Sequence, residues 1–132
     1  MRIQLTSVYV TDQAKALTFY TDMLGFVKNL DIPMGKYRWL TVVSPEDPKG
    51  VNLILEPNTN PAAAQYQKAI HHQGIVAANF FVNDLESEVA RLKEKGVHFT
   101  QGPKKVIGSK IAILEDGCGN LVQLTQLDHP MA

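Results

Sequence analysis

Residues 5–26, LTSVYVTDQAKALTFYTDMLGF, recur at residues 77–99 as AANFFVNDLESEVARLKEKGVHF. Val8 aligns with Phe80, Tyr9 with Phe81, Val10 with Val82 and Asp12 with Asp84, at a constant offset of 72 positions (10 to 82, 12 to 84). After one deleted residue, Gly25 and Phe26 align with Gly96 and Val97. Each copy reads as a short strand, an Asp, an amphipathic helix, a Gly stop and a second strand. Two copies in 132 residues leave room for little but a duplicated architecture, in which each half buries the apolar face of the other. The space between the halves is the natural place for a site.

Each half can be read further from its periodicity. Residues 3–10 are rich in β-branched side chains and form a strand, with Val8 and Val10 on one face and Leu5, Ser7 and Tyr9 on the other. Asp12 is placed to cap the next helix by accepting from a first-turn amide. Ala16, Leu17, Tyr20, Met23 and Leu24 then recur at three- and four-residue spacings, and Gly25 ends the helix. Strands are expected at 26–30, 37–43 and 51–56, with DIPMGK and SPEDPKG as loops. A helix follows from Asn60 and Pro61, an N-cap and a proline at the first helical position, and runs to Gly74. The second half repeats the pattern. A strand at 76–82 leads to a helix capped by Asp84 with Leu85, Val89 and Leu92 as its stripe. Strands at 97–100, 111–114 and 121–127 follow, separated by the loop GPKK and the turn DGCGN. The fold class is therefore α+β, two βαβββ modules in one domain. Module one covers residues 1–57, a linker helix 58–74, module two 75–127 and a fraying tail 128–132.

Composition narrows the function. Thirteen basic residues balance thirteen acidic ones, so no general field attracts nucleic acid or an anionic membrane surface. Cys118 is the single cysteine, which rules out an intrachain disulfide and suits a reducing cytoplasm. No apolar run is long enough to span a bilayer. His71 and His72, adjacent at the end of the linker helix, point about 100° apart and are poorly placed to chelate one ion. A favourable interaction with the helix dipole is the simpler reading.

The paired βαβββ pattern, with FYTDMLGF near the end of the first helix and EDGCGNLVQL closing the second copy, resembles the glyoxalase/bleomycin-resistance/dioxygenase (vicinal oxygen chelate) superfamily. The resemblance spans residues 3–127. It implies sheets curled into a half-barrel around a central cavity, very often completed in a homodimer. Metal-dependent members resemble one another in a quartet of His, Glu or Gln ligands, from the first and last strand of each module. On this chain the first-strand positions, seven before each Asp, are Leu5 and Ala77, which carry no donor atom. The last-strand positions match Gln123 and either Glu56 or, one register step away, Leu55. Only Glu56 and Gln123 remain as ligands, short of the three that a catalytic divalent metal needs. A bound metal would have to recruit Gln4, His71, His72, His98 or His129. No cofactor is expected, because Leu5 and Ala77 lack donors, with a divalent metal as the alternative.

If Leu5 and Ala77 face the cavity, period two brings Ser7, Tyr9, Asn79 and Phe81 to the same side. Gln123 and Thr125 join from the last strand, with Asn52 and Glu56 from the fourth. Such a chamber suits a small organic ligand held by shape and a few polar anchors, although Tyr9 and Phe81 serve equally to fill a core. Glu56 is the candidate acid or base, unless it is a surface carboxylate ending its strand. Trp39 is a stacking platform or a core anchor. Cys118 sits beside Asp116, which disfavours its thiolate. Lys104 and Lys105 occupy a loop that could close over an anion. Three functions compete: a bleomycin-resistance-like protein binding a small molecule, a metal-dependent lyase, isomerase or dioxygenase with an unusual ligand set, and an interaction module acting only through dimerisation. Bleomycin is cationic and the chain has no acidic excess, which argues against that drug.

Overall fold

A computed structural model describes residues 1–129. Of the tail expected to fray at 128–132, the last three residues lie outside the described part. The described residues form eight strands and three α-helices: β1 (Leu5–Val10), α1 (Gln13–Thr18), β2 (Val27–Met34), β3 (Tyr37–Val43), β4 (Asn52–Pro57), α2 (Pro61–His72), β5 (Ala78–Phe81), α3 (Leu85–Glu94), β6 (Phe99–Val106), β7 (Ser109–Glu115) and β8 (Leu121–Leu127). Two four-stranded sheets result, ordered β1-β4-β3-β2 and β5-β8-β7-β6. In each, the first and fourth strands of the module run parallel and the other pairs antiparallel. The sheets curl without closing into a barrel. The duplication legible in the chain is a duplication of topology.

Local chemistry sets the element ends. Asp12 Oδ1 accepts from the Lys15 amide at 3.0 Å, and Asp84 Oδ1 from the Ser87 amide at 3.1 Å. Asn60 Oδ1 caps α2 through the Ala62 amide at 2.9 Å. Gly25 and Gly96 close their helices with φ of 85° and 89°, a backbone region that costs glycine nothing.

Two expected loops are strand instead. β2 runs through Asp31, Ile32, Pro33 and Met34, and β6 through Gly102, Pro103, Lys104 and Lys105. Both are edge strands, where a proline's missing N–H can face solvent rather than break a ladder. Both also carry register shifts, between Lys28 and Asp31 and between Phe99 and Lys104. Bulges of that kind hide the period-two signal.

A second departure lies in the first helix. Beyond Thr18 the backbone widens into a π turn, Phe19–Met23, with the Leu24 amide donating to the Phe19 carbonyl five residues back. The cause is the extra residue that the first copy holds before its glycine stop. The closing bond runs from Phe26 to Tyr20 in module one and from Val97 to Leu92 in module two, one residue shorter. A π turn is how a helix absorbs a single inserted residue without disturbing the strand beyond it.

The helices cover one face of each sheet. Val8, Val10, Leu40, Val42, Leu53 and Leu55 meet Ala16 and Tyr20 in module one. Leu85, Val89 and Leu92 meet Ala112, Leu114, Val122 and Leu124 in module two. Phe19, Leu24 and Phe80 pack against both clusters, so the core is continuous across the modules. The opposite faces are not covered by α1 or α3, and α2 reaches the β1 edge, where Tyr66, Gln67 and Ile70 lie beside Ser7 and Tyr9.

Candidate functional site

The strand registers show which side chains share the open faces. In module one, Tyr9 of β1 pairs with Glu56 of β4, and Ser7 with Ile54. Thr41 pairs with Ile54 across β3–β4, and beyond that pair the Gln13 side chain lies between the strands, Nε2 donating to the Arg38 and Leu55 carbonyls at 2.7 and 2.8 Å and Oε1 accepting from the Arg38 amide at 3.0 Å. Trp39 pairs in turn with Ile32 of β2, and Tyr37 with Met34. Tyr9, Glu56 and Trp39 thus follow one another on this face, Tyr9 beside Glu56 across β1–β4 and Trp39 sharing a depression with Glu56. Met34, Tyr37, Trp39, Ile54 and Glu56 line a depression of about 290 Å³. Trp39 and Glu56 are half-buried there. Among the described residues Glu56 has neither a hydrogen-bond donor nor a cation within salt-bridge distance. The nearby Arg38 is already committed, donating from Nε and Nη2 to Asp31 at 2.9 and 2.7 Å. That fork holds the Asp31 carboxyl at about 2, below the usual carboxylate range, with Lys28 adding to the effect and desolvation opposing it.

The matching face of module two is more polar. Asn79 pairs with Gln123 and Phe81 with Thr125. Gln123 Nε2 donates to Thr125 Oγ1 at 3.1 Å, and Thr125 Oγ1 to Asn79 Oδ1 at 2.7 Å, so these three satisfy one another. Asn52 in module one similarly accepts from Thr41 and Asn29, each at 2.8 Å.

The expected cavity residues are distributed rather than gathered. Ser7 and Tyr9 line a small pocket of about 160 Å³ with Ala77 and with Tyr66, Gln67 and Ile70 of α2. Trp39 and Glu56 line the depression on module one. Phe81 lies at a cleft of about 440 Å³ between Ser44, Pro45 and Glu46 on one side and Leu92 and the start of α3 on the other. Leu5, Tyr9, Ile32 and Phe81 are 45%, 36%, 49% and 52% exposed. Met34, Tyr37, Tyr66 and Ile70 escaped the reading of the chain. The first two fell in and beside a segment read as loop, and the last two on the outer turns of a helix read as a linker.

A different cluster proves to be structural. Asp116, fully buried, accepts from the Tyr20 hydroxyl at 2.8 Å, from the Cys118 and Asn120 amides at 2.7 and 3.0 Å, and from Asn120 Nδ2 at 2.8 Å. Asn120 Nδ2 also donates to the Tyr9 carbonyl, and Gln67 Nε2 shares its two hydrogens among the Tyr9 and Cys118 carbonyls and Asn120 Oδ1. The turn of module two is thereby tied to α1, β1 and α2. Burial pushes the Tyr20 hydroxyl well above its usual range, with Asp116 adding to it. Burial likewise raises the Cys118 thiol to about 11, so it is no nucleophile.

Other candidates are resolved individually. His71 Nε2 lies 3.1 Å from both carboxylate oxygens of Glu115, a specific pairing that the dipole argument did not anticipate. Lys104 and Lys105 belong to β6 rather than a closing loop, and Lys105 Nζ pairs with Asp128 at 3.0 Å.

The residues do not fit the superfamily's metal. Leu5 and Ala77 offer only hydrocarbon. Gln123 stands opposite Asn79 as Ile54 stands opposite Ser7, so the repeat equates Gln123 with Ile54 and Thr125 with Glu56. One amide and one carboxylate at non-equivalent positions do not make a catalytic divalent site. Among the described residues no group of three or more His, Cys, Asp or Glu side chains could hold an ion.

Comparison with known proteins agrees with this architecture. The protein YurT of Bacillus subtilis (strain 168) is 53% identical over 126 residues, covering 96% of this chain and 99% of its own. The crystal structure of UcmS2 superimposes with a TM-score of 0.81 at 30% identity, covering 95% of this chain and 97% of that one. That of TnmS3, an antibiotic binding protein from Streptomyces sp. CB03234, gives 0.74 at 28% identity, covering 97% of both chains. The family model for the Glyoxalase/Bleomycin resistance protein/Dioxygenase superfamily matches residues 2–124. Duplicated βαβββ topology, open sheet faces and matched sequence lead to one conclusion: the chain belongs to the glyoxalase/bleomycin resistance protein/dioxygenase superfamily.

Proposed function

We propose that this protein binds a small, largely apolar organic molecule on its open sheet faces, without a metal, and that a second copy of the chain closes the site. The observation that carries the reading is the exposure of Leu5, Tyr9, Ile32, Met34, Tyr37 and Phe81 on or beside those faces. So much exposed apolar surface on a small chain marks a binding face. Each sheet offers one open wall, and a homodimer would supply the opposite one. Similarity to an antibiotic binding protein supports a small organic ligand. Ser7, Tyr9, Trp39, Glu56, Asn79, Phe81, Gln123 and Thr125 are the candidate contacts, and Glu56 is the one carboxylate among them that could exchange a proton. A cytoplasmic location accords with the lone, buried cysteine. Among the described residues no helix is long and apolar enough to cross a membrane.

The test combines sedimentation velocity with a thermal-shift screen of aromatic and polycyclic compounds. A dimer that dissociates on Phe81→Glu, and a melting temperature raised by some compounds but unmoved by zinc, nickel or EDTA, is the expected pattern. A monomer indifferent to every compound refutes the proposal. So does a stoichiometric transition metal lost on Glu56→Ala and Gln123→Ala.

A further inference from the structure

The row Tyr9, Glu56, Trp39 has a chemistry of its own. Adjacent paired strands lie roughly 4.8 Å apart, so the phenol ring of Tyr9 on β1 stands beside the Glu56 carboxylate on β4, and the Trp39 indole lines the same depression as Glu56. Tyr37 and Met34 border the same depression. Three observations distinguish this from an ordinary surface glutamate. Glu56 is half-buried, yet no described residue neutralises it or donates to it. The one guanidinium nearby is bound to Asp31 by two hydrogen bonds. Trp39 and Tyr37 supply aromatic wall, and Arg38, which also lines the depression, has its charge met by Asp31; aromatic faces attract cations through the ring quadrupole, most strongly for tryptophan. The counterpart of Glu56 in module two is Thr125, which already bonds Asn79 and Gln123. The feature therefore belongs to one module only.

We propose that the Tyr9–Glu56–Trp39 row receives the cationic head, a quaternary or tertiary ammonium, of an otherwise apolar ligand. The inference rests on the small-molecule reading above and narrows it to a ligand class. The chain's overall neutrality gives no long-range steering of a cation, but selectivity here is a contact effect and needs none. The uncharged part of the ligand lies along Ile54 and Ile32, the rest of the apolar wall.

Trp39 is the sole tryptophan, so its fluorescence reports on the row directly. The purified protein, in whatever oligomeric state it adopts, is titrated with benzyltrimethylammonium, benzyl alcohol and benzoate. The expected order is ammonium tightest, the alcohol weaker by about tenfold and benzoate weakest. Glu56→Gln weakens the ammonium by about tenfold while leaving the alcohol unchanged. Tyr9→Leu weakens the ammonium severalfold, and Glu94→Gln, an exposed carboxylate of α3, changes nothing. Circular dichroism and melting temperature confirm that each variant folds. Equal binding of the three probes, or an ammonium affinity indifferent to Glu56→Gln, overturns the cationic assignment and leaves the small-molecule reading standing. Absence of binding by all three, together with a silent thermal-shift screen, overturns both.

Discussion

Tyr20→Phe isolates one of the hydrogen bonds that cross the two modules. The substitution keeps the ring, and with it the edge-on contacts to Phe19 and Phe80 at centroid distances of 5.6 and 6.3 Å. It removes only the hydroxyl that donates to Asp116 at 2.8 Å. A buried hydrogen bond to a charged acceptor contributes about 1.5–3 kcal/mol net. Asp116 keeps its donors from Cys118 and Asn120, so the expected loss is about 2 kcal/mol, in the lower half of that range. For a chain of this size the melting temperature should fall by roughly 6 °C. Urea unfolding of both proteins at one fixed protein concentration gives the free-energy difference, because a dimer's apparent stability depends on concentration. The pH arm follows from the raised Tyr20 hydroxyl. Its contribution is complete below the unfolded phenol value of 10.0 and is lost as pH rises through the higher folded value. The advantage of the native tyrosine over the phenylalanine variant therefore holds at neutral pH and shrinks in strong alkali. A neutral-pH difference under about 0.5 kcal/mol, or an advantage that grows with alkali, refutes the reasoning.

The remaining predictions concern the backbone and two other ionisable groups. Gly119→Ala should cost about 2–3 kcal/mol by urea denaturation: φ is +97°, and an added Cβ meets Gln67 Nε2 at 2.7 Å, an atom pinned by hydrogen bonds. Gly25→Ala has a similar φ of +85° but open space, and should cost only about 1 kcal/mol. The stability that Asp31 gains from Arg38 should be present above pH 3.8 and be lost as pH falls towards about 2, so acid titrations of wild type and Asp31→Asn converge at the acid end. Cys118, fully buried with a thiol raised to about 11, should resist a disulfide reagent at neutral pH until urea unfolds the chain.

The chain made legible whatever is encoded locally. The Asp12, Asn60 and Asp84 caps and the Gly25, Gly74 and Gly96 stops follow from side-chain and backbone chemistry within one turn. The repeat carried the topology, because each copy repeats its strand order. The edge strands were harder to read. Pro33 and Pro103 resemble loop residues unless one knows that β2 and β6 have no partner on one side, which is a property of the sheet and not of the segment. For the site, period two separates Ser7 and Tyr9 from the core residues Val8 and Val10, and Asn79 and Phe81 from Phe80 and Val82, which pack against the core. Which strand residues are opposite one another was not legible, since register depends on the bulges. Hence Glu56 looked like the partner of Gln123, whereas pairing equates it with Thr125. The Asp116 knot joins residues 96 and more positions apart in sequence, Tyr20 and Tyr9 to the 116–120 turn, and no local pattern announces such a contact.

The inserted residue behind the π turn makes the two halves unequal partners. On one side Tyr20 reaches the 116–120 turn and stitches the modules together with charge and amide bonds. On the other, the residue aligned with it is Leu92, which offers the 44–50 turn no polar handle. The modules are joined near it by single bonds from Arg91 Nη2 to the Met23 carbonyl and from Lys95 Nζ to the Asp22 carbonyl, and clefts of about 440 and 470 Å³ indent the Leu92 and Asp116 sides alike. The molecule resembles a book with one edge closely sewn and the other held by a few stitches. Local opening costs least where fewest bonds must break, so the halves separate from the Leu92 side and pivot about the Tyr20 side. Amide exchange will be fastest around residues 44–46 and 81–84 and slowest around 116–120.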